Sequence, residues 1–198
     1  MNRVVLAVLI ALVTPVAAPA QTIQIAPFGG YRFGGDLYEL STGTPLDIDG
    51  APSYGVVFDA FFDVGRSVTF IYSHQSAPID LVINAAPKRV RVSVDHWHAG
   101  ATDEIGGTPR VRPFLTGTLG LTRYGGSGDA EIRFSMAAGG GVKLLATPRI
   151  GARFDGRVYA VFVDGSGTAI CSPAICGIGL KVSVAWQAEF TAGLVISF

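Results

Sequence analysis

His74-Gln75-Ser76 places a base and a hydroxyl two residues apart. On an extended strand such residues share a face. There an imidazole can activate a serine as the nucleophile against an acyl ester. Asp95-His96-Trp97-His98 puts His96 and His98 on one face by the same spacing. A zinc site needs at least a third protein ligand, and none can be placed nearby, so no metal and no cofactor is expected. Gly139-Gly140-Gly141 lacks the following Lys-Ser/Thr of a phosphate loop and is expected to ease bending of a strand. Cys171 and Cys176 enclose Ser-Pro-Ala-Ile. In an exported chain this even count predicts a disulfide that stiffens one loop.

The elements that carry these residues must be β-strands. The 198 residues include 26 Gly and 11 Pro, which disfavours a helical bundle. Fifteen Lys+Arg balance fifteen Asp+Glu, which excludes the basic face of a nucleic-acid binder. Only 15% of residues are charged, and mean hydropathy is +0.43. Beyond the first twenty residues no apolar run is long enough for a spanning helix. Those first twenty have the layout of a secretory signal peptide: Arg3, an apolar stretch from Val4 to Val13, and Ala18-Pro19-Ala20 before a cut at Gln21. The expected division is residues 1–20 as signal peptide and 21–198 as one domain.

Eight stretches alternate with period two, near 23–34, 53–63, 67–75, 90–95, 111–122, 131–143, 149–162 and 182–198. Most have about the ten residues that a tilted strand needs to cross a bilayer. Thirteen of the twenty aromatic residues fall on the apolar faces, too many large rings for the interior of an eight-stranded barrel. Facing outward they form a lipid-contacting band, and the Gly-, Ser- and Thr-rich faces line a narrow lumen. The predicted fold is all-β: a closed antiparallel eight-stranded transmembrane β-barrel. In this assignment Val90, Val92 and Val94 face lipid, whereas Trp97 lies on the polar side.

The same parity sends twelve charged groups inward: Arg32, Asp59, Arg91, Asp95, Arg112, Glu131, Arg133, Lys143, Arg153, Asp155, Arg157 and Glu189. Charges in so narrow a space must pair, and the expected result is a plugged lumen. The alternative is a small ion or solute channel. Residues 35–52, 76–89, 125–130 and 164–180 are read as outside loops. Shorter turns near 64–65, 102–109 and 144–148 lie at the periplasmic end with both termini. Pro27 and Pro113 are placed near that end, where strand pairing stops.

Gly29-Gly30-Tyr31-Arg32-Phe33, Arg112-Pro113-Phe114 leading into Gly117-Thr118-Leu119-Gly120, and the ending Phe190-x-Ala192-x-Leu194-x-Ile196-x-Phe198 carry a family resemblance. The chain resembles the OmpA/OmpX-like eight-stranded outer-membrane barrels of Gram-negative bacteria. That resemblance implies general secretion, with Phe190, Leu194, Ile196 and Phe198 as the signal read by the outer-membrane assembly machinery. It also implies outer-membrane lipids, including lipopolysaccharide, as neighbours, and a monomer without nucleic-acid partners. The His74-x-Ser76 pair is similar to the arrangement of lipid A deacylases. It departs from them in lying on the third strand, in having no Asn after Ser76, and in showing no acidic partner for the histidine. The expected function is therefore non-enzymatic, structural or surface-interacting.

Overall fold

The computed structural model describes residues 23–34, 36–38, 45–47, 50–83, 86–125, 130–164, 170–172, 175–177 and 182–198, with side chains for 23–34, 50–77, 92–125, 130–162 and 184–198. The proposed signal peptide, residues 1–20, lies outside them. The strands are β1 (Ile23–Gly34), β2 (Asp36–Tyr38), β3 (Pro45–Asp47), β4 (Ala51–Asp63), β5 (Arg66–Ile83), β6 (Ala86–Glu104), β7 (Val111–Gly125), β8 (Glu131–Leu145), β9 (Ile150–Asp164), β10 (Ile170–Ser172), β11 (Ile175–Gly177) and β12 (Val182–Ser197). Eight of them close an antiparallel barrel in the order β1-β12-β9-β8-β7-β6-β5-β4, with β4 returning to β1. Each strand pairs with its chain neighbour in the barrel, and the first meets the last, so no edge is left open. Two small hairpins, β2–β3 and β10–β11, stand apart from this sheet.

Three short connections, residues 64–65, 105–110 and 146–149, lie at the barrel end that holds Ile23 and Phe198. The Phe198 amide donates to the Ile23 carbonyl at 2.8 Å and seals the closure there. The tightest turn needs a left-handed residue, supplied by Gly65 at φ 76°. Pro27 has no N–H to give the β1–β12 ladder, and pairing there runs through Ile25↔Ile196 and resumes at Phe28↔Gly193. Pro113 lies just past the last β6–β7 pair, Glu104↔Phe114.

The expected loop at 76–89 is corrected. The β5–β6 ladder continues from Ser76↔Ser93 to Ile83↔Ala86, beyond the last β4–β5 pair at Ser53↔Gln75. This two-stranded ribbon projects roughly 25 Å past its neighbours at ordinary strand rise. Its β-branched residues (Ile79, Val82, Ile83, Val90 and Val92) favour extended backbone.

Strand parity divides the residues as the alternation predicts on seven of the eight barrel strands. Tyr31, Tyr54, Phe58, Phe70, Leu115, Leu119, Phe134, Phe154, Trp186, Phe190 and Leu194 are among the exposed apolar residues of the outer wall. On β6 the assignment is inverted. Val94, His96 and His98 are buried inside, while Trp97 is exposed on the wall. The barrel end opposite the termini has an apolar interior built from Ala51, Ala77, Val94, Tyr124, Val161 and Ala185. Apolar alternation in the valine triplet therefore marks the inside of that end, not its lipid face.

Candidate functional site

The lumen is filled by side chains in a continuous ladder of bonds. Toward the termini, Lys143 reaches Gln24 at 2.9 Å, Glu104 at 3.1 Å and Asp59 at 3.4 Å. Arg153 joins Asp59 at 3.0 Å to Asp155 at 2.7 Å, and lies 4.3 Å above the Phe114 ring. Arg112 closes this layer against Glu104 at 3.4 Å. Deeper in, Asp155 binds Arg157 and Thr191, both at 2.8 Å. Glu189 gathers Arg32 at 2.9 Å, Ser73 at 2.7 Å and Tyr159 at 2.8 Å, with Arg157 at 3.9 Å. Arg32 also donates to Ser73, and Arg133 to Glu131 nearer the far rim.

Room for this network comes from small residues on facing strands. Gly139 and Gly141 point inward beside β9, where an added Cβ would fall 2.7 Å from Arg157 Cγ and 2.7 Å from Asp155 Cβ. Gly139 and Gly141 thus make space for the central ion pairs, while Gly140 lies on the outer face beside Leu115.

His96 and His98 complete the filling. His96 stacks on Tyr159 with ring centroids 4.0 Å apart and planes 11° from parallel. Its nitrogens bond Thr122 at 2.8 Å and Gln187 at 3.0 Å, and those of His98 bond Thr118 at 3.2 Å and Ser135 at 2.9 Å. All four ring nitrogens are engaged, which leaves none directed at a metal. Among the described residues no group of three ligands gathers that could hold one.

Two of the charges assigned to the lumen are placed differently. Asp95 is on the outer wall, as the Cα partner of His74 on β5. Arg91 has the same parity and belongs to the projecting ribbon, opposite Pro78; its side chain lies outside the described residues. Conversely Glu104, read as part of a turn, continues β6 and points inward. Extending the even-position polar face of His96, His98, Gly100 and Thr102 by one step would have found it. The solvent-excluded side chains are then Arg32, Lys143, Arg153 and Arg157 against Asp59, Glu104, Asp155 and Glu189, four of each sign, while Arg112, Arg133 and Glu131 lie at the more exposed ends of the ladder. The side chains of Arg32, Arg157, Lys143 and Glu189 have no solvent exposure. Unpaired, any one of them would cost several kcal/mol; paired, they fix the position of each strand around the barrel.

On the outer wall, Asp95 supplies the acidic partner that the His74-x-Ser76 pair lacked in the sequence. His74 Nδ1 lies 2.6 Å from Asp95 Oδ1. The Tyr72 hydroxyl donates to the same oxygen at 3.2 Å, and Arg123 Nη1 to Oδ2 at 3.4 Å. Tyr54 packs on the imidazole at 5.0 Å, and Tyr72 on Trp97 at 4.3 Å. Phe190, Leu194 and Ile196 are exposed on the outward face of β12, and Phe198 is exposed just past its end. Cys171 and Cys176 face one another in register across the β10–β11 hairpin, with side chains outside the described residues.

No protein-family model and no curated protein matches the sequence. Solved structures do match. The outer membrane protein OprG from Pseudomonas aeruginosa superposes with a TM-score of 0.62 at 13% identity, covering 90% of this chain and 96% of that one. Neisserial surface protein A gives 0.56 at 14%, covering 89% and 97%. The outer membrane protein AlkL, solved in lipid bilayers, gives 0.55 at 13%, covering 90% of each. At these identities the likeness is one of fold. The neighbours are eight-stranded outer-membrane β-barrels, in agreement with the OmpA/OmpX-like resemblance.

Proposed function

We propose that the chain is an integral outer-membrane barrel with a sealed lumen, acting as an envelope scaffold or through its surface and not as a conduit. The observation that carries this reading is the neutral, solvent-excluded network from Asp59 to Glu189. A passage for ions or polar solutes needs water or a displaceable charge along its axis, and here each buried charge is held by another. The apolar outer wall supports membrane insertion, since a band of this extent on a water-soluble protein would drive aggregation. Export by the 1–20 segment, periplasmic termini and lipopolysaccharide contact belong to the same proposal. So does recognition of the β12 face by the assembly machinery.

The test is solute flux into proteoliposomes. The protein, inserted and folded, should leave small sugars and amino acids excluded at the rate of empty vesicles. Swelling above that rate would replace the scaffold with a small channel.

A further inference from the structure

We infer that His96 and His98 form an acid-operated latch, and that proton uptake by this pair converts the sealed lumen into a conduit for small inorganic anions. This rests on the sealed-lumen reading above and adds a state in which the seal is released.

The pair sits where the two halves of the interior meet. On β6 the inward series begins Val94, His96, His98. Val94 belongs to the apolar end, with Ala51, Ala77, Tyr124, Val161 and Ala185. One step further in, His96 and His98 are both fully buried, with ring centroids 5.6 Å apart. Tyr159 couples them to the ion-pair ladder. Its face carries His96 at 4.0 Å, and His98 meets it edge-on at 5.3 Å. Its hydroxyl donates to Glu189, which also holds Arg32 and Arg157.

Both rings are bonded only to neutral partners. His96 bonds the Thr122 hydroxyl and the Gln187 amide oxygen, and His98 bonds the Thr118 and Ser135 hydroxyls. Thr122 and Ser135 bond each other at 2.8 Å, so one chain of hydrogen bonds runs from Gln187 to Thr118. Hydroxyl and amide oxygens can all accept, so a ring that takes a second proton keeps its partners. What changes on proton uptake is charge.

The charged groups around the pair do not balance that charge. Arg32 from β1 and Arg157 from β9 face both rings, and each is positive. On β12, Glu189 is held by Arg32, Ser73 and Tyr159 and bonds neither imidazole. On β8, Arg133 is engaged with Glu131 nearer the far rim. β5 places the uncharged Ser73 and Ile71 opposite His96 and His98, and β7 offers only hydroxyls. The solvent-excluded side chains already carry four charges of each sign. A proton on either imidazole is therefore an uncompensated charge, and it is costly until water or a counter-ion reaches it. Histidine suits this task because its ordinary titration lies closest to neutrality.

The apolar end supplies the gate. Constrictions of apolar side chains block ions by staying dry. Ala51, Ala77, Val94 and Ala185 form such a constriction beside His96. Over neutral imidazoles it stays dry, and over cationic ones it wets. The cationic pair also competes with Arg32 and Arg157 for Glu189, which loosens the first rung of the ladder. Two arginines and two imidazolium rings then line the opened space, so the ion that enters is an anion. At neutral pH the protons return to water and the network closes again.

The experiment is single-channel recording of the folded, bilayer-inserted protein in potassium chloride. The pH is stepped from about 7 to about 3, across the ordinary imidazole and carboxyl ranges. Heat-modifiable migration at each step shows that the barrel is intact. The parent should be silent near neutrality and open reversibly on acidification, with a reversal potential in a salt gradient that reports anion preference. His96→Gln and His98→Gln should each reduce the acid-induced conductance, and the double variant should lose it. His98→Gln leaves the His96–Tyr159 stack in place, so it tests the pair even where loss of His96 impairs folding. Conductance already present near neutrality overturns the sealed lumen and the latch with it. Silence of the intact barrel at every pH overturns the latch alone. So does cation preference in the parent, acid conductance undiminished in His98→Gln, or opening that persists in a folded double variant and so belongs to the carboxylates.

Discussion

Replacing Glu189 with Gln removes one negative charge from the centre of the lumen without changing its volume. Glu189 has no solvent exposure and lies 2.9 Å from Arg32 and 3.9 Å from Arg157. At an effective dielectric constant of about 20, those two pairs supply roughly 10 kcal/mol of Coulomb attraction. Relief of the carboxylate's own desolvation offsets much of that, and breaking a buried pair typically costs about 3–5 kcal/mol net. The amide can still accept from Ser73 or Tyr159, so the loss is mainly electrostatic. Urea unfolding of the detergent- or vesicle-inserted barrel, read by heat-modifiable migration, should shift by that amount. Arg32→Met should be costly too, and the double variant should be less costly than the sum of the singles by at least about 1 kcal/mol. A Glu189→Gln barrel within about 1 kcal/mol of the parent, or strictly additive variants, would refute the paired-lumen argument.

Three further outcomes follow from the same geometry. Gly139→Ala should destabilise the barrel by about 1–3 kcal/mol in the same unfolding assay, because its methyl would press on Arg157 and the Gly156 carbonyl. Cysteine placed at Ala99 should react with a bilayer-dissolved maleimide, whereas cysteine at His98 should stay protected; equal labelling would contradict the face assignment of β6. Cys171 and Cys176 should resist alkylation in the folded protein until reduced, as mass spectrometry can show, in keeping with their register across the β10–β11 hairpin.

Much of the fold could be read from the sequence because a barrel wall has two faces with opposite demands. Phe190, Ala192, Leu194 and Ile196 against Thr191 and Ser197 need no partner to declare their sides. The β6 strand shows where that logic ends. Val90, Val92 and Val94 alternate well, yet the far end of the lumen is apolar, so apolar alternation no longer identifies lipid. The segment from His96 to Thr102 carried the better signal, with His96, His98, Gly100 and Thr102 on one side and Trp97, Ala99 and Ala101 on the other. Misplacing this one strand hid both Glu104 inside and Asp95 outside. The pairing itself was beyond reach, since Arg32 and Glu189 lie 157 residues apart and meet only when β12 closes on β1.

The measurement that bears most directly on a sealed lumen is ion conductance across a planar bilayer. The inserted protein should add no steps above the bare membrane. A variant with Lys143, Arg153, Arg157 and their carboxylate partners Asp59, Asp155 and Glu189 replaced by alanine should open measurable ones if it remains folded. Discrete conductance by the unmodified protein, with ion selectivity that follows those residues, would contradict the account.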